Sequence, residues 1–283
     1  MAATVLLWGM SWIVMKSMTG LIGPFDLVAA RYGIAFVVML VVLRAMRQSL
    51  RFPPFRLMMG IGLFQTAAFQ CLAQLALITG GAGHVVMLAY TMLFWAALFA
   101  WALIGERPSR RQVSAFILAA FGLVAVLEPW KGLGTLLSSV LALSGGACWG
   151  LGMVFSKMLF QRHRVNVLAV TTWQMLLGSL FTLPFAWLWP QIPPHWGAPL
   201  YLGLAYMGVM ASAVGWMLWM FVVRRVSAAV AGMSSLGVPV LAIILAWLLL
   251  GERPGPAELT GVVLIMAGLV VMNWPSSRKA AAR

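Results

Sequence analysis

Acidic residues are scarce in this chain of 283 residues, which has 5 Asp and Glu against 19 Lys and Arg. Charged residues make up 8% of the chain and hydrophobic residues 63%, whereas a soluble domain carries roughly 25% charged residues. This composition excludes an ordinary soluble domain. The carboxylates fall at or near the ends of apolar runs, at Asp26, Glu106, Glu128, Glu252 and Glu258. A proton or sodium relay through carboxylates at mid-membrane is therefore not indicated.

Cysteine and the common enzyme motifs are also sparse. Cys71 and Cys148 lie in separate apolar runs with no CxxC or metal-ligand spacing, so we expect no disulfide and no bound metal. The chain has no P-loop, which excludes direct driving by ATP, and we expect no other cofactor. No carboxylate pair, metal motif or Ser-His pair is visible, so we expect no enzymatic activity. The first apolar run also lacks the basic leader and cleavage site of a signal peptide.

The dominant feature is a series of long apolar runs bounded by charge, Pro or Gly. In lipid every backbone polar group must be paired within the protein, and these runs are too continuous for the alternating pattern of a barrel. We therefore predict an all-α integral membrane protein with ten transmembrane helices. The predicted helices cover residues 4–18, 25–43, 57–78, 82–104, 112–127, 134–156, 165–187, 198–223, 228–250 and 257–273.

Two pairs of similar segments indicate an internal duplication. "LIGERP" at 103–108 is matched by "LLGERP" at 249–254, and "LLWGMSWIVMKSM" at 6–18 by "ACWGLGMVFSKML" at 147–159. The second pair aligns Trp8 with Trp149 and Lys16 with Lys157. Each half holds five predicted helices, and because five is odd the second half must enter the membrane from the opposite side. We predict inverted repeats over residues 1–130 and 131–283, with each Gly-Glu-Arg-Pro forming a helix stop and an interfacial ion pair.

The basic residues give the expected orientation. Of the 19, 15 fall in loops after even-numbered helices or in the C-terminal tail, 3 fall in loops after odd-numbered helices, and Arg31 lies within a helix. The positive-inside rule then places both termini in the cytoplasm. Because these charges are dispersed over short loops, they favour contact with anionic lipid headgroups over binding of nucleic acid.

The order of these motifs resembles a known family. "WGMSWIVMK" and "WGLGMVFSK", the "PFDLVAARY" entry into the second helix, and the duplicated "GERP" are similar to the EamA-type members of the drug/metabolite transporter superfamily. The resemblance implies a ten-helix transporter with a central cavity between its halves. It is nearest to bacterial inner-membrane exporters of aromatic amino acids, which implies substrates such as Trp, Phe, Tyr and Met and a monomer in the bilayer. In the second half "NVLAVTTWQ" replaces "DLVAAR", so Arg31 has no basic counterpart.

Polar and aromatic residues within the predicted helices are the candidate site, because polar groups in a membrane are costly unless they are used. Three faces at helical spacing stand out: Thr66, Gln70 and Gln74; His84, Thr91 and Trp95; and Trp8, Ser11 and Trp12. Indoles, thioethers and amides suit a solute with a flat apolar part and a small polar head. The predicted substrate-binding residues are Trp12, Gln70, Gln74, His84, Tyr90, Trp149, Met153, Gln174 and Ser234.

Several alternatives remain at this point. His84 is either a hydrogen-bonding structural residue or a site for a carboxylate or a proton. We expect Arg31 to extend to the membrane interface, with binding of a substrate carboxylate as the alternative. The leading function is facilitative export of amino acids by alternating access. The alternatives are export of drugs or other metabolites, proton coupling through His84, and a non-transporting scaffold.

Overall fold

The computed structural model describes residues 1–127, 136–250 and 255–273. In the described residues every regular element is a helix. The first five are α1 (Ala2–Met18), α2 (Pro24–Ala45), α3 (Phe55–Thr79), α4 (Ala82–Ala89 and Met92–Ile104) and α5 (Arg110–Leu127). They are followed by α6 (Leu136–Arg162), α7 (Val167–Leu188), α8 (Ala198–Arg225), α9 (Ala228–Ser235 and Gly237–Leu250) and α10 (Pro256–Asn273).

Among the described residues, six helical stretches are long and apolar enough to cross a membrane, namely Pro24–Ala45, Phe55–Thr79, Val85–Ile104, Leu136–Arg162, Val167–Leu188 and Ala198–Arg225. Shorter apolar helices occur at Ala2–Met18, Val230–Ala242 and Leu259–Gly268. The all-α membrane fold is thus confirmed, while the count of ten spans stays a prediction.

Local chemistry explains several helix ends. Pro24 opens α2, where its missing N–H is not needed. Asn166 caps α7 by accepting from the Leu168 N–H at 2.8 Å. Gly105 ends α4 with φ of 69°, a left-handed conformation that favours glycine.

The first Gly-Glu-Arg-Pro segment ends α4 as predicted, but its Glu106 does not form the expected ion pair with Arg107. Glu106 accepts from the Gln161 side chain at 3.1 Å and from the Ala228 N–H at 3.2 Å, rather than from Arg107. Because the N-terminus of α9 carries free N–H groups and a partial positive charge, it binds this carboxylate and replaces the arginine. The second such segment, 251–254, lies outside the described residues.

Equivalent helices of the two halves share the same irregularities. Both α3 and α8 contain a π-helical segment, at Ile61–Ala68 and Tyr206–Val214. The fourth helix of each half is interrupted after about two turns, at Tyr90–Thr91 in α4 and at Leu236 in α9. Helix packing also relates equivalent helices of the two halves. The second helices pack on each other (α2 on α7), as do the fifth (α5 on α10). The first helix of each half packs on the third and fourth helices of the other, so that α6 packs on α3 and α4, and α1 on α8 and α9.

Glycines allow the closest of these contacts. A Cβ at Gly146 would lie 2.8 Å from the Ala89 carbonyl oxygen, and one at Gly150 would lie 2.9 Å from the Ala96 nitrogen. Backbone cannot yield at such distances, so small residues are required where α6 crosses α4. This contact brings Trp149, between the two glycines, to the centre of the bundle.

Candidate substrate site

A small cavity lies where α1, α2, α3, α4, α6 and α8 meet. Its volume is about 20 Å³, and its wall consists of Trp8, Ser11, Trp12, Met15, Arg31, Phe69, Gln70, Tyr90, Trp149 and Trp216. A volume of this size admits about one water molecule. A larger solute therefore requires these side chains to move apart.

Aromatic rings form most of the wall, with Trp149 at their centre. The Trp149 ring stacks on Phe69 with 4.6 Å between centroids and meets Tyr90 edge-on at 5.2 Å. On its other side, Trp8 lies 5.6 Å from Trp149 and 5.1 Å from Trp216. These offset and edge-on arrangements are favourable for aromatic pairs. They also supply faces and edges on which a flat solute can pack.

The two duplicated tryptophans differ in their hydrogen bonds. The indole N–H of Trp8 donates to the Ala211 carbonyl oxygen at 3.0 Å, in the π segment of α8. The indole nitrogen of Trp149 is buried and has no hydrogen-bond partner among the described residues. An unpaired buried N–H costs about 1–3 kcal/mol. Trp149 therefore has a donor that a bound solute can use.

Arg31 brings a guanidinium group to the cavity wall. Its side chain is 3% exposed, its Nε donates to Ser212 Oγ at 2.8 Å, and its Nη1 lies 3.4 Å from Met15 Sδ. The expectation that Arg31 extends to the membrane interface is wrong. The Ser212 hydroxyl and the Tyr32 ring, 5.3 Å from the guanidinium carbon, hold the group inside the bundle.

None of the carboxylates that the structure describes neutralises the Arg31 guanidinium. Glu106 is bonded to Gln161 and Ala228, and Asp26 forms no ion pair with Arg31 among the described residues. A buried cation without a counter-ion is costly in a membrane. Such a group is expected where a ligand supplies the opposite charge.

The structure brings together some of the sequence-predicted residues. Trp12, Gln70, Tyr90 and Trp149 all lie on the cavity wall. Gln74, Met153 and Gln174 are buried elsewhere in the bundle, and Ser234 is half-buried on α9. His84 lies in α4, but its side chain is outside the described residues.

Three wall residues, Met15, Phe69 and Trp216, were not candidates from sequence, whereas Trp8, Ser11 and Arg31 were named there but not among the predicted binding residues. Phe69 and Trp216 are aromatic residues of α3 and α8. Neither belongs to a predicted polar stripe, so no pattern in the sequence marked them. Met15 lies one turn beyond Ser11 and Trp12, so the helical spacing of α1 could have identified it. Arg31 was named, but its expected location was the interface.

A membrane-embedded bundle of apolar helices around an aromatic and polar cavity defines the protein as a multi-pass membrane transporter. The chain belongs to the EamA-like transporter family, whose model matches residues 1–127 and 136–274. This confirms the resemblance to EamA-type members of the drug/metabolite transporter superfamily.

Known proteins are similar over nearly the whole chain. A protein of Salmonella typhimurium (strain LT2), named "Probable amino-acid metabolite efflux pump", is 28% identical, with 94% of this chain and 91% of that protein covered. YoaV of Bacillus subtilis (strain 168), named "Uncharacterized transporter", is 24% identical over 98% of this chain and 96% of its own length. A solved crystal structure with 22% identity matches at a TM-score of 0.80, covering 98% and 96% of the two chains, which shows a shared fold.

Proposed function

We propose that this protein exports amino acids, above all aromatic and other neutral ones, across the bacterial inner membrane by alternating access. The observation that carries the proposal is the composition of the central cavity, in which aromatic rings surround one buried guanidinium. An aromatic amino acid has the matching parts, namely a flat ring and a carboxylate. The efflux-pump name of the Salmonella relative supports the same substrate class.

The charge of the wall favours a zwitterion over a phosphate ester. Arg31 is the one cationic side chain that the described wall contains, and it can balance one carboxylate. An ammonium group can lie against the indole faces through a cation–π contact. A phosphate ester carries more negative charge than this site can compensate.

The proposed transport unit consists of two inverted halves, 1–130 and 131–283, with both termini in the cytoplasm. The shared π segments, interruptions and packing partners of equivalent helices support this division. Rocking of two such halves about a central site gives alternating access.

Export is proposed to be facilitative, down the gradient of the amino acid. The described wall contains no carboxylate that could carry a proton or a sodium ion. Proton coupling through His84 is the alternative mechanism.

Uptake of radiolabelled tryptophan into proteoliposomes tests the proposal, with protein-free liposomes as the control. We expect saturable uptake that unlabelled phenylalanine and methionine compete with and that an imposed pH gradient does not change. Accumulation driven by the gradient would establish coupling instead. Absence of flux from protein that is monodisperse and helical would contradict amino acid export.

A drug or another metabolite is the second candidate substrate. Met15 in the cavity wall favours it, because a flexible thioether side chain adapts to ligands of different shape. Uptake of a hydrophobic cation that tryptophan does not compete with would support this candidate.

A further inference from the structure

We infer that the sulfur of Met15 occupies the position of the substrate carboxylate, and that Arg31 and Gln70 form a carboxylate subsite in the central cavity. This inference rests on the proposed function and deepens it. It predicts which part of an amino acid the transporter requires.

Two N–H donors converge on one weak acceptor. Arg31 Nη1 lies 3.4 Å from Met15 Sδ, and Gln70 Nε2 lies 3.6 Å from the same sulfur. The donors come from α2 and α3, and the sulfur comes from α1. A thioether accepts hydrogen bonds only weakly, whereas a carboxylate oxygen accepts them strongly. The two donors are therefore placed for a better acceptor than the one they contact.

The guanidinium needs such an acceptor. In the described part of the bundle, its oxygen partner is Ser212 Oγ, which accepts from Nε at 2.8 Å. Neither terminal nitrogen has a described carboxylate or carbonyl partner. A guanidinium binds a carboxylate through two parallel hydrogen bonds, for which its terminal nitrogens are suited.

Ser212 sets the orientation of this group. It lies in the π segment Tyr206–Val214 of α8, on the opposite half of the chain from α1 and α2. By fixing Nε, it leaves the terminal nitrogens for Met15 and the cavity. Ser212 is thus a positioning residue, and it contacts the ligand only through Arg31.

Met15 can leave this position when a solute arrives. Its side chain is flexible and unbranched, and the cavity of about 20 Å³ is too small for an amino acid unless wall side chains move. Movement of the thioether away from Arg31 and Gln70 releases both donors together. Binding then exchanges two weak contacts for charge-assisted hydrogen bonds.

A set of tryptophan analogues isolates the carboxylate. Indole-3-propionate keeps the carboxylate and lacks the ammonium group, whereas tryptamine and tryptophanamide lack the carboxylate. We expect tryptophan and indole-3-propionate to displace radiolabelled tryptophan from the detergent-purified protein. Tryptamine and tryptophanamide are expected to bind at least about tenfold more weakly, the loss expected for one charge-assisted hydrogen bond.

Two pairs of variants test the residues. Arg31→Gln is expected to lower tryptophan affinity about tenfold or more and to remove the preference for tryptophan over tryptamine. Arg44→Gln, which replaces an exposed arginine on the same helix, is expected to change neither the affinity nor this preference.

Met15→Leu removes the competing sulfur at nearly constant volume, so it is expected to raise tryptophan affinity a few-fold. Met18→Leu, a buried methionine on α1 that faces Gly203, is the matched control.

The outcomes separate the two proposals. Equal displacement by tryptophan and tryptophanamide, with transport intact, would overturn the carboxylate subsite and leave amino acid export standing. Binding of indole-3-propionate without transport of any amino acid would support the subsite and overturn the proposed function. Failure of the folded protein to bind any analogue would overturn both. A Met15→Leu affinity no different from that of Met18→Leu would overturn the role of the sulfur.

Discussion

At the scale of single residues, Trp149 shows what the duplication made predictable. Its match with Trp8 marked it as a candidate from sequence, and it lies at the centre of the ring cluster. Gln70 was predicted because a polar group within an apolar helix stands out, and Tyr90 was predicted as an aromatic residue that could line a cavity. Met15 lies at helical spacing from Ser11 and Trp12, but a chain with 20 methionines gives no single one prominence. Its importance appears only when Arg31 and Gln70 are seen to meet at its sulfur.

A conservative change at Trp149 separates stability from binding. Trp149→Phe removes an N–H that has no described partner and leaves a ring to stack on Phe69. The smaller ring lowers the free energy of unfolding by about 1 kcal/mol, and removal of the unsatisfied donor raises it by a similar amount. We expect the melting temperature to change little while tryptophan affinity falls several-fold, measured by thermal unfolding and radioligand binding.

Trp173→Phe is the matched control on α7. The Trp173 indole donates to the Leu50 carbonyl oxygen at 3.1 Å, and its ring does not line the central cavity. Its replacement is expected to lower the melting temperature and leave affinity unchanged. If Trp149→Phe leaves tryptophan affinity unchanged, as Trp173→Phe is expected to do, the N–H of Trp149 has no role in binding.

At the scale of elements, the π segment of α3 changes the position of Thr66 in one predicted stripe. Thr66, Gln70 and Gln74 share a face in a regular α-helix, but Ile61–Ala68 of α3 is wound more loosely. As a result Gln70 lines the cavity, whereas Thr66 packs near Gly178 of α7. Nothing in the composition of this segment distinguishes it from an α-helix. Its winding accompanies contacts with α6 and α7, which no local pattern specifies.

Gln65 is the polar centre of the contact between α3 and α6. Its amide lies 2.6 Å from Ser156 Oγ, and the best hydrogen bonding places its oxygen 3.1 Å from the Trp219 indole nitrogen. A Cβ at Gly152 would lie 2.4 Å from Gln65 Cβ and 2.5 Å from its backbone nitrogen. The glycine therefore allows α6 to approach the π segment.

Gly152→Ala is expected to destabilise the protein. Alanine normally favours a helix over glycine by about 1 kcal/mol, but forcing a methyl group against backbone costs about 1–3 kcal/mol. The clash prevails because the backbone nitrogen of Gln65 cannot rotate away. Thermal unfolding in detergent, followed by helical circular dichroism, measures the difference.

Gly33→Ala on α2 provides the opposite case. A Cβ there would meet only Ser179 Oγ, at 3.6 Å, which is ordinary contact. We expect the melting temperature to stay constant or to rise. Equal destabilisation by both variants would show that the close approach at Gly152 is unimportant.

At the scale of the whole molecule, composition and repetition predicted most of the architecture. The excess of apolar residues indicated a helical membrane protein, and the family match confirms it. Most helix ends were close to those predicted because Pro, Gly and charge mark them, but α6 continues to Arg162, six residues beyond its predicted end, because Lys157 and Arg162 are accommodated within the helix. Sequence could not show which helices face the central cavity, since nearly all of them are apolar on every side. That information depends on packing, as at the glycines of α6 against α4.

Lys16 and Lys157, which align in the two repeats, make equivalent hydrogen bonds at the ends of equivalent helices. Lys16 donates to the Leu77 and Gly80 carbonyl oxygens at the end of α3, at 3.0 and 3.2 Å, and Lys157 donates to the Val223 and Val226 carbonyl oxygens at the end of α8. Each lysine satisfies the free carbonyl groups of a helix terminus in its own half. In inverted halves the two lysines lie at opposite membrane faces.

Cysteine labelling tests that inversion. In a variant with Cys71 and Cys148 replaced by alanine, Ser17→Cys and His163→Cys place single exposed thiols just inside the end of α1 and just after α6. A membrane-impermeant maleimide is expected to label Ser17→Cys in intact spheroplasts and His163→Cys only after permeabilisation. Labelling of both thiols from the same side would rule out inverted halves with a cytoplasmic N-terminus.

The packing of four indoles in the core gives the molecule an optical property. Trp8 lies 5.1, 5.4 and 5.6 Å from Trp216, Trp219 and Trp149, at inclined ring angles. Chromophores this close couple electronically, so we expect the cluster to add an exciton contribution to the ultraviolet circular dichroism. Trp8, Trp149 and Trp216 line the central cavity, so we expect this contribution to change when a solute opens the cavity.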